Sequence, residues 1–467
     1  MSAQRKATGK KRRAKDATGS PQPTELKALR SQVAGIDIAS EEHWVCCPAH
    51  SEGAPNVRKF GSTTPELKRI AEWLREQGVE SIAMESTSVY WIPQYELLDS
   101  LGFEVVLVNA RQLSHVPGRK TDMLDCQWLQ LLHSCGLLRG SFRPGDSICK
   151  LRALQRECAE LVNERSQAVQ KMQKALDQMN VQVHRAVTDI TGVTGMAIVR
   201  AIVVGERDAS KLAELRDRRC AKSKEQIAEH LEGTWREEHL FNLQMALKLY
   251  DHLQEMIHTY EAKMLEMLEA LQPPERAEQP LPEHPNRTKD KAIRKRGEQP
   301  LRTALWQFAN VDLTRIDGIS TGAAAVALTE VGADVTAFPT ENHFVSWLRL
   351  SPKTAFSAGK PLKKKCKGTG STRLSGILRM AALSLKNSPT ALGAAFRRIA
   401  WRKGMDVAVF AIARKLAILI YRMLRYGQDY VDEGAQAYEK RFEQRRVLNL
   451  ERTAKELGYQ LVPALSS

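Results

Sequence analysis

Apolar positions cluster in short β-branched runs over the first part of the chain, whereas from about residue 150 they recur at steps of three and four. The first pattern predicts strands and the second helices. Val33-Ala34-Gly35-Ile36-Asp37-Ile38 is an apolar run closed by Ala39-Ser40, so it predicts a buried strand carrying one inward acid. Ser81-Ile82-Ala83-Met84-Glu85 is a second run that ends on an acid, and Ser86-Thr87-Ser88 can cap a helix beginning near Tyr90. Glu104-Val105-Val106-Leu107-Val108-Asn109 predicts a third strand, followed by a polar loop and Lys120-Thr121-Asp122-Met123-Leu124-Asp125. Thr121 or Asp122 can start a helix there, and a separation of three puts Asp122 and Asp125 on one face of its first turn.

Farther on, Leu151, Leu154, Cys158, Leu161, Ala168, Met172, Ala175 and Met179 form a stripe broken only by Arg165, the mark of a coiled-coil seam or one helix of a bundle. A second long helix is predicted from Glu238 to Leu271, with Leu240, Leu243, Leu247, Tyr250 and Leu253 on its apolar face. The two helices either pack on each other or serve self-association. The stretch from Gln272 to Pro300, rich in proline and charge, reads as a linker or exposed loop. Helices are then expected around Thr321 to Val331, Glu341 to Leu350, Thr372 to Lys386, Ala391 to Arg402 and Asp406 to Arg425. Thr191-Gly192-Val193-Thr194-Gly195 and Asp317-Gly318-Ile319-Ser320 look like helix-hairpin-helix turns, where backbone amides can face a phosphate. The expected organisation is a flexible basic arm (1–29), an α/β domain (30–148), a helical or coiled-coil domain (149–310, with the linker 272–300), a helical domain (311–430) and a tail (431–467).

Four acids on strand, strand end and helix start repel one another unless bridged by a cation. Any one of Asp37, Glu85, Asp122 and Asp125 taken alone is more often a cap or a solvated loop residue; their joint placement favours a metal site. Oxygen ligands with no cysteine or histidine interleaved suit Mg²⁺ or Mn²⁺ rather than zinc. Two such ions, about 4 Å apart, clamp the attacking and leaving oxygens of a phosphodiester. Ser357 lies in Lys353-Thr354-Ala355-Phe356-Ser357-Ala358-Gly359-Lys360, where small residues allow close backbone approach and cations hold phosphates. A serine hydroxyl is a weak nucleophile on its own, so Ser357 has to meet the acidic tetrad in space.

Charge points independently to nucleic acid. The chain of 467 residues carries a formal net charge of +16, with a pI near 9.5. No acid occurs between Glu341 and Asp406. Within that stretch Lys353, Lys360, Lys363, Lys364, Lys365, Lys367, Arg373 and Arg379 are the expected phosphate contacts, reinforced by Arg397, Arg398, Arg402 and Lys403. The amino-terminal arm holds Lys10-Lys11-Arg12-Arg13 without the apolar core of a signal peptide, and no long apolar run predicts a membrane span. None of the eight cysteines has Cys-x-x-Cys spacing, which fits reduced thiols in the cytoplasm. His115 and His133, near the third and fourth acids, receive no role.

The chain resembles the DEDD transposases of the one-ten family of insertion sequences, which act as bridge-RNA-guided recombinases. The likeness rests on Gly35-Ile36-Asp37-Ile38-Ala39, Met84-Glu85-Ser86-Thr87, Thr121-Asp122-Met123-Leu124-Asp125, Asp317-Gly318-Ile319-Ser320, Ser351-Pro352 and Ser357-Ala358-Gly359. It is strong over residues 33 to 140 and 311 to 427, and looser between. The resemblance implies an amino-terminal RuvC-like domain of the ribonuclease H type and a carboxy-terminal transposase domain bearing a serine nucleophile, to which the apolar patterns add a coiled-coil middle and an all-α character for the last domain. By position, Asp37, Glu85, Asp122 and Asp125 carry over as the metal-binding tetrad, and Ser357 as the residue that forms a covalent phosphoserine link to DNA. Two positions depart from the pattern: Ala358 stands where glycine usually follows the serine, and Ser88 where glycine is common. The resemblance further implies donor and target double-stranded DNA, a structured noncoding guide RNA, a homo-oligomer in which dimers assemble to a tetramer, and a bacterial, nucleoid-associated setting. Two other readings of the same residues stand beside it. One is a metal-dependent nuclease or Holliday-junction resolvase that uses water; the other is a binding scaffold with vestigial acids.

Overall fold

The computed structural model describes residues 28–48, 56–86, 88–109, 125–277, 279–351, 355–357, 360–362, 372–427 and 429–462, without side-chain detail at 277, 355–357 and 360–362. Two compact units divide in sequence between Arg143 and Pro144. The first is α/β and the second helical, as the change in apolar period predicts.

The first unit is built on a mixed sheet of five strands: β1 (Val33–Ile38), β2 (Glu42–Cys47), β3 (Asn56–Gly61), β4 (Ser81–Glu85) and β5 (Glu104–Val108), in the order β3-β2-β1-β4-β5. β1 pairs antiparallel with β2 and β2 with β3, whereas β1, β4 and β5 are parallel. Two crossover helices make the parallel pairings possible: α1 (Thr64–Glu76) before β4 and α2 (Trp91–Ser100) before β5. Alternate side chains Ala34, Ile36, Ile38, Ile82 and Met84 enter a core with Ile70 and Leu74 of α1 and Leu98 of α2. Each such fully buried aliphatic contributes about 1.5–3 kcal/mol. The opposite face is covered by α3 (Asp125–Ser134), where Ala83 and Val108 pack on Leu129.

The expected cap at Ser86-Thr87-Ser88 is not formed by the two described serines. Tyr90 occupies the N-cap of α2 without a side-chain bond. The Ser86 hydroxyl instead donates to the Val108 carbonyl at 3.1 Å, tying the end of β4 to β5. Ser88 adopts φ 52, the left-handed region that favours glycine, at the position where the resembling family commonly has one.

In the second unit α4 (Asp146–Gln178) is followed by α5 (Val183–Ala186), α6 (Val193–Val204), α7 (Ala209–Glu214), α8 (Lys224–Leu231) and the long α9 (Glu237–Ala270). Met172, Ala175 and Leu176 of α4 share a core with Leu243, Ala246 and Leu247 of α9, while Arg165 donates to Gln254 farther along. Those pairings make α4 and α9 antiparallel partners within one chain. Their apolar stripes are consumed mainly by each other and by α6–α8, which pack around Ile198, Ile202, Leu212 and Ile227.

The stretch 272–300 is largely folded onto the segment from Arg302 to Ile316. It contains α10 (Pro274–Ala277) and α11 (Arg287–Lys295), and then leads into α12 (Gln299–Ala309). Arg302, 1% exposed, is held by Asp312 at 2.7 Å and by Asp290 of α11 at 2.9 Å. Lys289 donates to the carbonyls of Thr314 and Ile316, and burial pulls its pKa down to about 8. A proline-rich, charged composition predicts an exposed loop; here the charges meet buried partners distant in sequence.

The carboxy-terminal helices are α13 (Thr321–Val331), α14 (Glu341–Trp347), α15 (Arg373–Ser384), α16 (Ala391–Lys403), α17 (Met405–Tyr426) and α18 (Gly434–Glu456). The Ser320 hydroxyl caps α13 by accepting from the Ala323 amide at 3.1 Å. No described helix is long and apolar enough to cross a membrane. Glu330 of α13, 5% exposed, receives a bidentate pair from Arg156 of α4 at 3.0 and 2.9 Å. Arg152 adds a bond to the Glu330 carbonyl. Removing the charge leaves two guanidinium groups facing a neutral amide. Because Arg156 is half-exposed, Glu330→Gln is expected to destabilise this unit by about 1–2 kcal/mol rather than the 3–5 of a fully buried pair. Thermal melting that shows no loss would contradict this anchoring role.

Candidate active site

Ile36 of β1 pairs with Met84 of β4, so the residues that follow each, Asp37 and Glu85, leave neighbouring parallel strands at one level, about 4.8 Å apart across the sheet. Ile36, Ile38 and Met84 face the core beneath α1 and α2, which turns Asp37 and Glu85 toward the opposite face. Both acids are half-buried. The opposite face belongs to α3.

Helix α3 lies against β1 because residue 35 has no side chain. A Cβ at Gly35 would stand 2.2 Å from the Cys126 carbonyl oxygen and 2.5 Å from the Gln130 amide. The Gln130 side chain donates to the Val33 carbonyl at 3.4 Å, and the Ser134 carbonyl accepts from the Leu29 and Arg30 amides. From Cys126 to Ser134 the helix therefore runs back along β1 toward its start. Its first residue, Asp125, falls at the end where Asp37 leaves the strand. An acid in the first turn is also favoured by the helix dipole.

Three of the four predicted acids, Asp37, Glu85 and Asp125, thus share the carboxyl end of the parallel strands. Asp122 lies outside the described residues. Among those residues no group of three or more acids, histidines or cysteines is gathered closely enough to hold a metal ion. The donor chemistry, oxygen throughout, fits a hard divalent cation. Neighbouring thiols do not compete: burial, reinforced by Cys126, pushes Cys46 opposite Gly35 up to about 12, so it stays protonated. His133 shares a 2.7 Å hydrogen bond with Ser81 farther down the same face, and burial lowers its pKa, which keeps it a neutral packing residue. His115 lies outside the described residues.

Ser357 ends β6 (Ala355–Ser357), which pairs antiparallel with β7 (Lys360–Leu362) so that Ser357 stands opposite Lys360. Only Ala358 and Gly359 separate the two, the length of a tight hairpin connection. Lys353, Lys363, Lys364, Lys365 and Lys367 lie outside the described residues. Arg373 opens α15 and donates to the Arg156 carbonyl at 3.5 Å. Arg379 donates to the Ser375 carbonyl, and its guanidinium stands 5.3 Å from the Phe410 ring centre.

A transposase family model, that of the IS110 DEDD transposases, matches residues 34–181, which hold all four acids. A second, described as the transposase IS116/IS110/IS902 family, matches residues 311–396, which hold Ser357 and all eight expected phosphate contacts. The chain belongs to the IS110 family of transposases. No curated protein matches it. Membership makes this IS110-family transposase an enzyme that cleaves and rejoins DNA.

The contribution of Gly35 was not read from the sequence beyond its place in the motif. A lone glycine inside an apolar strand is the signal for a close backbone approach, but it does not say what approaches. Gly35→Ala is expected to push α3 off β1, destabilise the first unit by about 1–3 kcal/mol and lower strand cleavage with it. Melting and cleavage assays check this; wild-type values for both would mean that the helix does not depend on that contact.

Proposed function

We propose that this transposase joins DNA to itself by transesterification, with Ser357 as nucleophile and Asp37, Glu85, Asp122 and Asp125 as ligands of Mg²⁺ or Mn²⁺. In this reading the first unit is RuvC-like, of the ribonuclease H type; the strand order β3-β2-β1-β4-β5, with acids at the ends of β1 and β4, supports it. The observation that carries the proposal is the common level and face of Asp37 and Glu85, with Asp125 starting the helix that packs on the same face.

When bound, the divalent ion neutralises phosphate charge and assists the leaving oxygen. The carboxylates fix the cation's position. The Ser357 oxygen forms a bond to phosphorus as the bond to the leaving strand oxygen breaks, and that oxygen departs as a hydroxyl. The basic residues flanking Ser357 in sequence, Lys360 among them, are assigned to holding that phosphate. The phosphoserine link conserves the bond energy, so a strand hydroxyl can attack it and regenerate the serine. Specificity is assigned to a structured guide RNA that pairs with donor and target DNA, and assembly to a homo-oligomer that brings several active sites together. The likeness of the motif residues supports both.

The wild-type enzyme, mixed with Mg²⁺ and a DNA substrate and then denatured, is expected to leave a protein-DNA adduct that Ser357→Ala and Asp37→Asn both abolish. Chelation should abolish it too. Full strand cleavage by Ser357→Ala would assign the attack to water and make the enzyme a metal-dependent nuclease or resolvase. RNA that copurifies and carries a loop complementary to the element's own flanks is the expected guide; a preparation that recombines DNA without RNA would remove that part.

A further inference from the structure

Between α16 and α17 the chain turns at Gly404, where φ is 90, and this corner presents an unusual surface. Trp401 is 88% exposed. Met405, Val407 and Phe410 follow it at 39%, 45% and 43% exposure. Single exposed aliphatics are ordinary, but a tryptophan standing almost wholly in water forgoes the burial of roughly 200 Å² of aromatic surface. Arg402 and Lys403, beside it, are exposed, and among the described residues neither is paired with a carboxylate. Asp406 is the first acid after Glu341.

We propose that Trp401 is a stacking platform for an unpaired DNA base whose flanking phosphates are held by Arg402 and Lys403. The inference deepens the reading above, because exchanging strands requires bases to leave their duplex partners. Every base offers a face to an indole, so the platform tolerates any sequence. Charge decides the occupant. A second copy meeting this corner symmetrically would set Arg402 and Lys403 against their own counterparts, whereas a phosphodiester strand supplies the missing anions.

The test uses the full chain and a single-stranded oligodeoxynucleotide, with affinity measured across a salt series. Trp401→Ala is expected to weaken binding on the order of tenfold, leave the salt dependence unchanged because no charge is lost, and keep the melting temperature. Arg402→Gln should reduce the salt slope by about 0.7 on a single strand, and Trp401→Phe should restore most of the affinity. Three outcomes overturn the proposal: wild-type affinity in Trp401→Ala, a loss confined to an oligoribonucleotide of the same sequence, or a change of oligomeric state in that variant by sedimentation. Ser357→Ala should keep this affinity. Failure of the platform is therefore distinguishable from failure of the serine chemistry.

Discussion

The seating of one helix on one strand sets where the acids of the first unit emerge. Backbone atoms of α3 approach β1 so closely over Gly35 that no side chain fits between them. That contact fixes the height of the helix along the strand, and with it the level at which Asp125 emerges. β1 and β4 are locked to each other by parallel pairing from Val33 with Ser81 to Ile36 with Met84. A register slip of one residue would turn Asp37 or Glu85 into the apolar core. Backbone hydrogen bonding and a missing Cβ thus place three acids at the carboxyl ends of parallel strands, the edge where α/β folds commonly bind ligands.

The second unit is organised by buried charge as well as by apolar packing. α4 and α9 satisfy each other's stripes, yet Arg152 and Arg156 tie α4 to Glu330 of α13, and Lys289, Asp290, Arg302 and Asp312 tie α11 to the turn before α13. Such pairs give modest net stability because desolvation offsets much of the attraction. Their value lies in geometry. A guanidinium fork accepts a carboxylate in few orientations, so these contacts specify how the helices meet.

Much of this was legible in the sequence because the signals were local. Short β-branched runs gave β1, β4 and β5, and the steps of three and four gave α4 and α9 within a few residues of their ends. What stayed hidden depends on partners far along the chain. Ser86 reads as a helix cap, yet its hydroxyl bonds to Val108 on a neighbouring strand. Residues 287–295 read as part of a loop, since their single buried apolar residue, Ile293, gives no stripe, and the partners of Asp290 and Lys289, Arg302 and the carbonyls of a later turn, lie outside the segment. Of the candidate site, the acids were visible as strand, strand-end and helix-start residues. The face they share becomes apparent only once Gly35 is seen to lie under a helix.

The separation of charge along the chain has its own physical logic. Two carboxylates at roughly 5 Å repel by about 3 kcal/mol at an effective dielectric near 20, and a phosphodiester brought to them adds further repulsion. An acidic edge of this kind cannot draw in nucleic acid by itself; in the proposed reading it acts only after a cation has reversed its sign. Affinity has to come from elsewhere, and the proposed source is the stretch between Glu341 and Asp406, where cations stand without a single acid. Interleaving the two charge types would pair lysine with aspartate and disable both. In the proposed reading the four acids serve a metal and the acid-free stretch serves phosphate, and the two lie far apart along the chain.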